Sequence, residues 1–235
     1  MGQDNLHHRR RAKTKSALAR GDAKRQPYKK VLIVCEGSKT ELFYFQDLVA
    51  FYKLSTANVK VIDNDETCPL RIFKFAKDFA KKEKKKGSPF DLIYCVFDKD
   101  THVHFNKAIE EIQKQPKLPL YHAVTSIPSF EYWLLLHFKI STKPYSRTHK
   151  KSIGDLVLSD LKKEYKAYEK ASKNTFAELF PKLELALSNA KRCREIVEKD
   201  QTDNPSTSVD LMVATLRDIK NPPKPKPKPE ILHIR

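Results

Sequence analysis

Two short segments carry the side chains able to do chemistry: VLIVCEGSKTE over residues 31–41 and LIYCVFDKD over residues 92–100. The first delivers Glu36 and Glu41, the second Asp98 and Asp100. A fifth acid, Glu131, follows the apolar stretch YHAVTS and the tripeptide IPS. Carboxylates gathered at one place repel each other unless they share a cation, and a hard divalent ion with oxygen ligands is the natural choice. Such an ion, held with positions open to water and substrate, suits hydrolysis of a phosphate ester. Each acid also has a plainer reading. Glu41 could complement the positive end of its helix, Asp98 could cap a turn, and Glu131 could be the first-turn acid of a helix. Those readings do not predict that three separate strands all end in acids.

The elements that must position these acids follow from hydrophobic patterning. Residues 31–36, 59–63, 92–97 and 121–126 are short runs rich in β-branched and aliphatic residues, which read as strands of a parallel sheet buried on both faces. Helical patterns alternate with them at about Lys39–Tyr52, Leu70–Lys86, Phe105–Lys114 and residues 130–138. The β-α alternation predicts an α/β fold, a mostly parallel four-stranded sheet flanked by helices. In such sheets ligands bind at the carboxyl ends of the strands, where the acids lie. From about Ser152 to Glu198, and again over 208–219, the pattern is helical only. The expected organisation is therefore a basic disordered tail over 1–29, a catalytic core over 30–140, a helical region over 141–219 and a Pro/Lys-rich tail over 220–235.

The net charge of +17 is unevenly spread. Residues 1–30 hold ten Lys/Arg against Asp4 and Asp22, giving +8; residues 219–235 hold five against Glu230, giving +4; the remainder keeps +5. Two readings stand side by side: solvated tails that maintain solubility, or cations that neutralise nucleic-acid phosphates. On the second reading Arg9, Arg10, Arg11, Lys13, Lys15, Lys29 and Lys30 contact nucleic acid without reading its sequence. The lysines closing the second helix, in KKEKKKGSP, have a bland explanation in the negative end of that helix.

Other chemistries lack their residues. No GxxxxGK[ST] is present, no GxGxxG follows the first strand, and the chain has five glycines in all. Asp100 is followed by Thr101 and His102, which breaks the dehalogenase pattern. The eight histidines show no paired metal spacing; His102 and His104 merely adjoin the DxD turn. Cys35, Cys68, Cys95 and Cys193 have no CxxC spacing, and nothing near the N-terminus resembles a secretion signal, so a cytoplasmic protein with free thiols and no membrane span is expected.

Strand–Glu-Gly followed by strand–DxD resembles the Toprim fold of topoisomerases, primases and OLD-type nucleases. The ordered set EGSKTE with Phe43, Tyr44 and Phe45 behind it, then VFDKD, then SIPSFEYWLLLHF, then DNPSTSVDLMVATL resembles more narrowly the RloB-like family of bacterial defence loci. The resemblance spans Lys30 to Leu216 and leaves both basic tails outside. It implies a Toprim-like core in which Glu36 is a metal ligand or acid/base, and Asp98 and Asp100 bind metal. Glu41 resembles the second glutamate of the OLD-type EGxTE pattern with one residue inserted, and Glu131 resembles a further ligand, beside Ser126 and Ser129. No lysine can be assigned to the OLD-type role, although Lys39 and Lys99 are near in sequence. The function implied is a Mg²⁺- or Mn²⁺-dependent nuclease acting in anti-phage defence and abortive infection, with an ATPase partner. The alternative is a non-catalytic Toprim-like subunit that binds or senses nucleic acid beside that ATPase; primase-like nucleotidyl transfer ranks last. The helix FEYWLLLHF could cover the sheet or form a homo-oligomer interface, the first being the better reading.

Overall fold

A computed structural model describes residues 29–36, 39–54, 59–64, 68–99, 104–116 and 118–219. Both tails, Gly37, Ser38, Asp100 and His102 lie outside the described residues, as do Arg9, Arg10, Arg11, Lys13 and Lys15.

The chain order is β1 (Val31–Glu36), α1 (Lys39–Phe51), β2 (Val59–Asn64), α2 (Pro69–Lys85), β3 (Leu92–Asp98), α3 (Phe105–Gln113) and β4 (Leu120–Ile127). There follow α4 (Glu131–Leu135), α5 (Ile153–Glu164), α6 (Thr175–Leu179), α7 (Leu183–Lys199), β5 (Ser206–Thr207) and α8 (Val209–Asp218). The sheet order is β2-β1-β3-β4-β5. The first four strands are parallel, and β5 joins β4 antiparallel through Ser126↔Thr207 and Ile127↔Ser206. The expected four-stranded sheet is thus corrected to five. Two residues cannot show a strand period, and Ser206–Thr207 is polar, so no sequence signal marked it.

Alternation along the strands divides the core between two faces. Val31, Ile33 and Cys35 of β1 with Leu92, Tyr94 and Val96 of β3 meet α1 and the C-terminal helices. Leu32 and Val34 with Ile93, Cys95 and Phe97 meet Ile72, Phe73 and Ala76 of α2 and Phe105, Ala108 and Ile112 of α3. The sheet is therefore covered on both faces, which is why its strands read as unbroken apolar runs. The expected helix over 130–138 is regular only over Glu131–Leu135 and continues as turns. Trp133, Leu134, Leu135, Leu136 and His137 are all fully buried, so this segment covers the sheet. The four cysteines are free; burial raises the Cys35 thiol and pushes Cys95 up to about 12, which keeps both protonated and apolar in behaviour. Among the described residues no helix is long and apolar enough to cross a membrane.

The C-terminal helices are tied to the sheet by polar bonds as well as packing. Arg194 on α7 pairs with the buried Asp210 of α8 and also donates to the Thr207 carbonyl of β5, so one guanidinium holds three elements. His137 presents a different case. Its Nδ1–H donates to the Trp133 carbonyl at 3.1 Å, while Nε2 is buried with no hydrogen-bond partner. Burial pushes its pKa from 6.5 down to about 4. Above pH 6.5 the ring is neutral in both states and contributes no pH dependence. As pH falls from 6.5 towards 4 the unfolded chain takes up a proton that the folded chain refuses, and stability declines. The full loss is about 3 kcal/mol. Chemical denaturation at several pH values should show this decline, and His137→Leu should remove it; an equally steep decline in that variant would contradict the assignment.

Candidate active site

The sheet reverses its direction of winding between β1 and β3: from β1 the chain moves outward to β2, and from β3 it moves the other way to β4. This is a topological switch point, where the connecting segments leave in opposite directions and open a crevice beyond the strand ends. Glu36 ends β1 and Asp98 ends β3, so the two acids stand on adjacent strands at that crevice. They are directly linked, the Asp98 backbone N–H donating to Glu36 Oε2 at 3.2 Å. Asp98 Oδ2 in turn accepts from the Phe130 N–H at 3.0 Å, which brings in the loop before α4.

That loop delivers Glu131, buried at 6 % exposure, whose Oε2 accepts from Ser129 Oγ at 2.7 Å. From the α1 side comes Glu41, 5 % exposed, whose Oε2 has no hydrogen-bond partner. Tyr44, Phe45 and Phe130 pack edge to face behind it and lock α1 against the loop. Electrostatics binds the four acids into one site. Burial raises the Glu41 pKa from 4.5 to about 8, with Glu131 and Glu36 adding repulsion. Asp98 is raised well above the usual carboxylate range by burial and then by Glu41, Glu131 and Glu36. Burial and mutual repulsion therefore both disfavour the ionised forms of Glu41 and Asp98.

Sequence reasoning had no means of finding the cation. Lys170, on the loop between α5 and α6, places Nζ 3.4 Å from Glu131 Oε1. The same loop is pinned to α1 through the Ala171 N–H, which donates to Thr40 Oγ1 at 3.1 Å, and it buries Tyr168 beside the acids. Lys99, one of the two lysines adjacent in sequence, is instead paired with Asp203, and Lys39 is exposed. Lys30, grouped with the tail cations, is engaged elsewhere: its Nζ donates to Ser88 and faces Glu83 at 3.8 Å, at the opposite end of β1 from the acids. Lys29 beside it is exposed. Ser126 is buried and bonded to Thr207, a structural contact to β5. His104 stands at the N-terminus of α3.

The sequence model of the family described as RloB-like protein matches residues 31–216. The chain belongs to the RloB-like family. The match takes in all four acids described above, and it extends through α7 and most of α8, so the loop carrying Lys170 is part of the RloB-like unit. No curated protein and no solved structure matches the chain.

The residues fit a hard divalent cation. An unpartnered buried carboxylate oxygen on Glu41, and two acids raised by burial and then by neighbouring carboxylates, are what a cation among them would satisfy. Among the described residues no three His, Cys, Asp or Glu groups stand together as a complete ligand set, and Asp100, an expected ligand, lies outside them.

Proposed function

We propose that this RloB-like protein is a metal-dependent nuclease with a Toprim-like core, acting in bacterial anti-phage defence beside an ATPase. The observation that carries the reading is the placement of Glu36 and Asp98 on adjacent strand ends at the switch point, with Glu41 and Glu131 within electrostatic reach. Glu36, Asp98 and Asp100 would hold Mg²⁺ or Mn²⁺, with Glu41 and Glu131 completing or extending the site. The ion supplies Lewis-acid polarisation of the phosphate and an activated water.

The remaining work falls to the chain. The Phe130 N–H fixes the Asp98 carboxylate, and the Asp98 N–H fixes Glu36, so both acids are oriented before substrate arrives. Ser129 and Lys170 hold Glu131 between them. Lys170 brings a positive charge to Glu131 on a side chain still 59 % exposed, positioned to meet a phosphate entering the crevice. The aromatic wall of Tyr44, Phe45 and Phe130 keeps water from the rear of the site.

The test is a cleavage assay on end-labelled DNA, RNA and tRNA with Mg²⁺ or Mn²⁺ and with EDTA. Metal-dependent cutting supports the nuclease. Binding without cutting in every metal would transfer the protein to the non-catalytic sensing reading.

A further inference from the structure

The net charge of residues 31–218 is concentrated on one helix. Residues 31–218 hold 31 Lys/Arg against 26 Asp/Glu, a net +5, and α2 alone holds seven against Asp78 and Glu83, also +5. The rest of that span is therefore neutral, and the excess is not a property of the core at large. Lys74, Lys77, Lys81 and Lys84 recur at the helical spacing of three and four, so they form one exposed row about 15 Å long. Glu83 does not neutralise the row, because it faces Lys86 and Lys30. Complementing the helix terminus accounts only for the last turn; Lys74 and Lys77 lie too far back for that.

A groove of about 310 Å³ runs beside the row. Lys77, Lys81 and Lys84 form one wall, and Phe90, Leu118 and Tyr121 contribute apolar surface opposite. Leu118 is 80 % exposed and Leu120 next to it 40 %, so an apolar rim stands in water beside a line of cations. Cations for a phosphate backbone, next to an apolar and aromatic slot for a base, match an unpaired strand, whose bases are free to enter. A duplex keeps its base faces stacked and has no use for the slot.

We propose that the lysine row of α2 and its groove are a docking track for single-stranded nucleic acid. The proposal rests on the nuclease reading and gives the form of its substrate. The track is aimed. As a crossover between parallel strands, α2 runs opposite to them, so its N-terminal end lies at the sheet edge that carries the acids. It packs across β1 and β3, the two strands that end in Glu36 and Asp98. The groove lies where β3 and β4 begin, at the other end of the sheet, so a strand bound there reaches the acids by running along the lysine row toward the N-terminus of α2.

The test uses the full-length chain in EDTA, where binding proceeds without cleavage, with fluorescent oligo(dT), oligo(U) and a duplex as probes. Affinity is followed over a salt series for the parent and for the combined variant Lys77→Gln, Lys81→Gln, Lys84→Gln. Loss of three phosphate contacts to a single strand should lower the slope of log K against log salt by about 2. Bound oligonucleotide should also protect these three lysines from amine-reactive labelling, and the better protecting probe distinguishes DNA from RNA. An unchanged slope, or tighter binding of the duplex, overturns the proposal. A parent that shows the track but never cuts with Mn²⁺ overturns the nuclease reading alone; one that cuts while the variant keeps its slope overturns the track alone.

Discussion

Asp98→Asn should abolish metal-dependent cleavage, by a factor of at least about a hundred, while nucleic-acid binding persists. Asparagine keeps the shape of aspartate and can still accept the Phe130 N–H through its carbonyl oxygen, so the loop before α4 stays in place. The Asp98 N–H that donates to Glu36 belongs to the backbone and is unaffected. What is lost is one negative charge and its oxygen ligation at the strand end. Asp98→Ala removes the acceptor as well, leaving the Phe130 N–H without its bond at a further cost of about 1–3 kcal/mol in stability. Comparing the two variants therefore separates chemistry from support: both should be inactive, and only the alanine should be measurably less stable. Full cleavage by Asp98→Asn would remove this residue from the mechanism.

Glu41→Gln is expected to raise the stability of the metal-free protein at alkaline pH. Below pH 4.5 the Glu41 carboxyl is protonated in the folded and unfolded chain alike, and the substitution changes little. As pH rises from 4.5 towards 8 the unfolded chain releases this proton and the folded chain retains it, so stability is lost across that window. At pH 8 the deficit is on the order of 4 kcal/mol, accumulated at about 1.4 kcal/mol for each pH unit crossed. Glutamine cannot ionise and escapes the loss. The buried Oε2 without a partner is the structural counterpart of the same deficit. A divalent ion should raise the melting temperature of the parent more at pH 8 than at pH 5, because ligation needs the ionised acid, and Glu41→Gln should shrink that gain. Identical pH–stability curves for the parent and Glu41→Gln would contradict this view of the site.

Most of the frame was legible because strong local signals set it. Apolar runs at 31–36, 59–63, 92–97 and 121–126 all became parallel strands, and the alternation of helices between them fixed their parallel sense. The pairing of Glu36 with Asp98 could be anticipated from their common position at strand ends. Its partners could not. Lys170 and Tyr168 meet the acids on a loop far along the chain from β1, pinned to Thr40 of α1 through Ala171, and no periodicity reports a contact across that separation. Lys30 likewise has partners that its sequence neighbours do not report. Its neighbours in sequence are basic, which assigned it to a polyanion, whereas tertiary structure gives it Ser88 and Glu83. The lysines of α2 were explained by their own helix end; only the groove beside them and the neutrality of the rest of the core give them another use.

Whether the strand-end acids form a divalent-ion site is tested most directly by Mn²⁺ binding to the metal-free protein. Electron paramagnetic resonance of free Mn²⁺ at pH 8 should show saturable uptake by the parent, abolished in Asp98→Asn and weakened in Glu41→Gln. Uptake of equal strength in the parent and Asp98→Asn, or none in the parent, would contradict such a site.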